Sequence, residues 1–82
     1  MIKDEDLEIL KQVTLLGIYK KEKDESLSDV RKSLIDTGMY DKKEAKEIFR
    51  LLREDECITD ESLTLKGITL AKEAEILFKQ YG

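Results

Sequence analysis

Two helix-start patterns divide this chain more sharply than anything else in it. Ser26 stands three residues before Asp29, and Asp41 three residues before Glu44. In each pattern a short polar side chain can accept a hydrogen bond from a first-turn amide, while the acidic residue complements the positive end of the helix dipole. Gly38, between the two, is placed to take the left-handed conformation that closes a helix. The stretch from Ser26 to about Asp55 is therefore expected to hold two consecutive helices. The first carries a core stripe of Leu27, Val30 and Leu34, and the second gathers Ala45, Ile48, Phe49 and Leu52 on one face.

The flanks read with the same logic. From about Asp4 to Tyr19, the residues Leu7, Ile9, Leu10, Val13, Leu16 and Tyr19 recur at helical spacing, and Leu15 and Ile18 place more apolar surface on other sides. This helix is expected to be buried on more than one side, and it ends in the mixed-charge run Lys20-Lys21-Glu22-Lys23-Asp24-Glu25. After Asp55 the period changes. Cys57-Ile58-Thr59 and Leu63-Thr64-Leu65 favour strand around the polar turn Asp60-Glu61-Ser62, which predicts a small hairpin. Thr64 is also a good N-cap for a last helix, in which Leu70, Ala71, Ala74, Leu77, Phe78 and Tyr81 share one face while Leu65, Ile68 and Ile76 point the other way.

Composition narrows the chemistry. With 82 residues, residues 1–82 form a single domain, too small to enclose an active-site cleft between two domains. One cysteine, Cys57, cannot form an internal disulfide, and without histidine no ordinary zinc site can be assembled. The expectation is a reducing, cytoplasmic setting with no metal and no cofactor. The acidic opening MIKDEDLEIL does not read as a signal peptide, and no apolar run is long enough for a membrane span. Carboxylates abound, but they have no histidine base to work with, and the serines fall where caps or turns explain them; no catalytic residue is assigned. Net charge is −4, so no global basic field draws the chain to nucleic acid.

Several phrases carry a resemblance that spans nearly the whole chain. Leu27-Ser28-Asp29-Val30-Arg31-Lys32-Ser33-Leu34 resembles the first helix of a helix-turn-helix, and Leu51-Leu52-Arg53-Glu54-Asp55-Glu56-Cys57-Ile58 is similar to a recognition helix running into a first wing strand. Leu63-Thr64-Leu65-Lys66-Gly67 resembles the passage from the second wing strand into a last helix. Together they are similar to the winged helix-turn-helix superfamily. The resemblance implies a mainly α fold of three helices, a short β-hairpin wing and a C-terminal helix. It also implies a DNA-binding protein acting as a transcriptional or replication accessory factor, with residues 41–55 as the recognition helix. Two departures stand out. Glu56 occupies a junction where the superfamily commonly has glycine, which predicts a positive φ there, and Asp36-Thr37-Gly38-Met39-Tyr40 makes a longer turn than a simple helix-turn-helix has.

The residues themselves supply a candidate surface for double-stranded DNA. Lys42, Lys43, Lys46, Arg50 and Arg53 fall within one arc of about 100° on the predicted helix, with Glu44, Glu47 and Glu54 on the other flank of its apolar face. Such a strip can contact phosphates and base edges, or it can be a solvated face held by pairs such as Lys43 with Glu47 and Arg50 with Glu54. Arg31 and Lys32 would extend it, and Lys20, Lys21 and Lys23 could add phosphate contacts. The tip of the predicted hairpin is acidic, at Asp60 and Glu61, which does not suit a minor-groove grip. The rival reading is an adaptor that binds protein and never touches DNA. Ile18 and Ile76, away from the main apolar faces, are candidate contacts for a homodimer or a protein partner. An open basic strip would favour DNA; a strip neutralised by carboxylates beside an open apolar groove would favour the adaptor.

Overall fold

The computed structural model describes residues 4–81, with the side chains of residues 5–80. Its elements are α1 (Asp4–Tyr19), α2 (Leu27–Asp36), α3 (Lys42–Glu54) and α4 (Leu65–Tyr81). The boundaries of α2 and α3 follow from their caps. Ser26 accepts from the Asp29 amide at 3.1 Å while the Asp29 carboxylate accepts from the Ser26 amide at 2.9 Å. The reciprocal pair at Asp41 and Glu44 closes at 2.8 and 3.0 Å. These bonds satisfy amides that a helix start leaves without partners. Past the end of α2, Gly38 takes φ 82°, and its amide donates to the Ile35 carbonyl at 3.0 Å.

α1 touches each of the other three helices and lies along α4. This central position explains why it is apolar around much of its girth. Leu15 and Ile18 enter one core cluster with Val30 of α2, Ile48 and Leu52 of α3 and Ala71 of α4. The radius of gyration is 11.8 Å, close to the value of about 11.7 Å that scaling gives for a folded chain of this length. Ile9, placed by its spacing in the α1 pattern, stays exposed. Tyr81 ends α4, but its side chain lies outside the described residues.

The β-hairpin wing is a correction. Among the described residues there is no strand and no sheet, only one antiparallel bridge between Ile58 and Leu63. The segment between α3 and α4 is a tight loop. The Thr59 amide donates to the Ser62 carbonyl at 2.8 Å, and the Thr59 hydroxyl accepts from the amides of Glu61 and Ser62. A second arm cannot grow, because Thr64 is taken by the helix: its hydroxyl accepts from the Gly67 amide at 3.1 Å and donates to the Glu56 carbonyl at 2.6 Å. Ile58 meanwhile turns into the core rather than onto a projecting blade. The mainly helical class stands; the wing does not.

Glu56 has φ 61°, the left-handed conformation expected at that junction. Its amide donates to the Arg53 carbonyl and the Cys57 amide reaches back to the Leu52 carbonyl, so the chain leaves α3 through a tight reversal.

Candidate interaction surfaces

α3 turns its predicted strip outward: Lys42, Lys43, Lys46, Arg50 and Arg53 are all exposed, as is Lys32 of α2. The strip is not uniform. Arg50 donates to the Glu54 carboxylate at 2.7 Å and also to Glu47, so both terminal nitrogens of its guanidinium have a carboxylate partner within its own helix. The hydrogen bond to Glu47, with the charge of both carboxylates, holds Arg50 still more firmly protonated. Arg53 is paired only loosely, with Asp60 at 3.7 Å. Lys42, Lys43 and Lys46 make no ion pair among the described residues.

Arg31 meets that row only at Arg53. Half-buried on α2, it lines a cleft of ≈ 230 Å³ together with Ser28, Arg53 and Asp60, above the apolar side chains of Leu27, Phe49 and Ile58. No spacing in the sequence signals this meeting of Arg31 with Arg53, because it depends on how α2 packs against α3.

A larger groove, of ≈ 590 Å³, runs between α1 and α4. Leu15, Leu52, Cys57 and Ala74 line its depth, and Leu70 and Leu77 stand open on its α4 side at 36% and 38% exposure. Lys11 donates to the Asp55 carboxylate at 2.8 Å, and Lys66 donates to the Asp55 carbonyl at 2.8 Å. The hydrogen bond from Lys11 lowers the Asp55 pKa below its ordinary 3.8 and raises that of Lys11. Glu8 and Glu73, on the same groove, have no cationic partner among the described residues. Burial pushes the Cys57 thiol upward, away from the reactive thiolate.

The two isoleucines assigned to a dimer interface part ways. Ile18 is 2% exposed and belongs to the core, so it is not available to a second copy; the covered side of α1 carries Leu15 and Ile18 and leaves Ile9 outside. Ile76 is 59% exposed, on the opposite side of α4 from Ala71 and Ala74.

One internal polar contact had no sequence signal. Thr14 of α1 is fully buried, with its hydroxyl 2.7 Å from the Leu10 carbonyl and 2.9 Å from the hydroxyl of Tyr40. Desolvation raises the Tyr40 pKa.

Among the described residues no helix is long and apolar enough to cross a membrane. Comparison with known proteins gave no matching family model, no matching curated protein and no matching solved structure.

Proposed function

We propose that this chain is a protein-interaction module that receives an apolar-faced helix of a partner in the groove between α1 and α4. The observation that carries the reading is the openness of Leu70 and Leu77 over a groove of ≈ 590 Å³ floored by core residues. Laying an apolar stripe into a groove between two helices is a recurrent mode of recognition, anchored by side chains at i, i+3, i+4 and i+7. The carboxylates of Glu8, Asp55 and Glu73 outnumber the lysines on the groove, Lys11 and Lys66, and favour a partner helix with lysine or arginine beside its apolar stripe. The pairing of Arg50 supports the same choice, since its charge is partly neutralised by Glu47 and Glu54 and it competes less well for a phosphate or a guanine.

A second reading, contact with duplex DNA along α3, is favoured by Lys42, Lys43 and Lys46, exposed and without an ion pair among the described residues. A selection of displayed amphipathic helices separates the two. The groove reading expects enriched sequences with an apolar stripe and basic flanks, whose binding is lost in Leu70→Glu/Leu77→Glu and retained in Lys46→Glu/Arg50→Glu. No enrichment, or enriched helices indifferent to the leucine changes, rejects it.

A further inference from the structure

We propose that the cleft between α2 and α3 is a binding site for a phosphomonoester, with Arg31 and Arg53 as its anion-holding residues. This site is separate from the groove of α1 and α4 and stands whether or not that groove binds a helix.

Arg31 and Arg53 come from different helices and line one recess of ≈ 230 Å³. Their donor capacity is largely unspent. Arg31 makes no ion pair among the described residues, and Arg53 has only Asp60, whose oxygen at 3.7 Å is beyond hydrogen-bond reach. Arg50 on the same helix shows the contrast, with two carboxylates held at hydrogen-bond distance. Each guanidinium offers a planar fork of N–H groups suited to two oxygens of one phosphate.

The recess also takes in the first turn of α2, through Leu27 and Ser28. The Ser26 cap serves the Asp29 amide, which leaves the amides of Leu27 and Ser28 with no acceptor inside the helix. The positive end of the helix dipole at this first turn adds to the field of the arginine pair. Leu27, Phe49 and Ile58 form the apolar wall against which the organic part of the ligand would rest.

Charge and size select the monoester over the diester of a nucleic-acid backbone. A phosphomonoester carries roughly −1.5 to −2 at pH 7, which two guanidiniums match, and it ends a molecule, so it can enter a small recess. A backbone phosphodiester carries one charge and is flanked by sugars on both sides. Asp60 is the internal competitor. Its side chain is 89% exposed and, among the described residues, is held by nothing shorter than the 3.7 Å approach to Arg53, so it is free to swing out as the ligand arrives.

The test is a titration of the intact chain with phenyl phosphate, followed by amide chemical shifts, with mixed duplex DNA as competitor and circular dichroism to verify folding. Saturable shifts are expected at Ser28, Arg31 and Arg53. Arg31→Gln and Arg53→Gln should each weaken binding about tenfold, whereas Asp60→Asn should tighten it about threefold. Lys72→Gln, on exposed α4 surface, should bind as the wild type does. Absence of saturable binding in both wild type and Asp60→Asn overturns the proposal, as does unchanged binding in both arginine variants. DNA that binds at these arginines while phenyl phosphate fails to displace it assigns the cleft to a diester and equally overturns it.

Discussion

A β-carbon built on Gly67 falls 2.0 Å from the carbonyl oxygen of Cys57. The loop after α3 is thus pressed against the first turn of α4 at a distance only glycine permits. That same carbonyl accepts from the Thr64 amide at 3.0 Å, so the loop cannot retreat without losing the bond that anchors it. Gly67→Ala should therefore destabilise the fold by about 2–4 kcal/mol, as a backbone clash in a fixed turn demands. Urea denaturation measures this directly. A variant as stable as the wild type would mean that α4 is not docked on the loop in this way.

Glu56 predicts the opposite sign. It holds φ 61° without glycine, its side chain is exposed, and only its backbone carbonyl is needed by Thr64. Relief of a left-handed non-glycine residue is worth about 1–2 kcal/mol and exceeds the extra unfolded-state entropy of glycine. Glu56→Gly should raise the melting temperature by a few degrees. A lowered melting temperature would contradict the assigned geometry.

The buried hydroxyls of Thr14 and Tyr40 give an asymmetric pair of variants. Thr14 spends its one proton on the Leu10 carbonyl, so Tyr40 is the donor between them. Thr14→Val strands the Tyr40 hydroxyl and should cost about 1–3 kcal/mol. Tyr40→Phe leaves Thr14 satisfied and should cost less, and adding it to Thr14→Val should recover stability. Denaturant melts of the two singles and the double decide it, and a double variant less stable than Thr14→Val would sink the idea.

Much of this architecture is legible in the residues, and the failures have local causes. The starts of α2 and α3 could be placed from Ser26, Asp29, Asp41 and Glu44 because a capping box is a short-range bond between neighbours in sequence. Glu56 could be placed because its junction resembles one that commonly carries glycine. The wing that the residues predict does not form, since Thr64 suits both a strand and a cap and only the packed chain reveals which role it takes. Ile18 is not legible as core for a similar reason: which side of α1 the other three helices cover is decided by packing, and Ile18 lies on that side with Leu15 while Ile9 lies outside it. The cleft holding Arg31 and Arg53, and the groove between α1 and α4, depend on packing between distant segments.

Acid should weaken the tie between α1 and the end of α3. Lys11 holds the Asp55 pKa below 3.8, so this carboxylate stabilises the fold above the unfolded pKa and the contribution is lost as pH falls through the folded value. Asp55→Asn should be less stable than the wild type at neutral pH by roughly 0.2–1 kcal/mol, the range for exposed pairs. The gap should close below pH 3.8. The Lys11 pKa is raised, so on the alkaline side the pair persists to beyond pH 10.5. Chemical denaturation across the acid range checks this; a gap that stays constant with pH would show that Asp55 acts only through the backbone.

The groove carries the functional account, and its most direct measurement is fluorescence anisotropy with one helix from the displayed set beside mixed duplex DNA, at low and physiological salt. The account predicts that the wild type binds the helix with a Kd on the order of 10⁻⁵ M and only modest salt dependence. Leu70→Glu/Leu77→Glu should weaken this at least about tenfold, and Lys46→Glu/Arg50→Glu should leave it unchanged. DNA binding that steepens as salt is lowered and disappears in Lys46→Glu/Arg50→Glu, with no helix bound by the wild type, would contradict it.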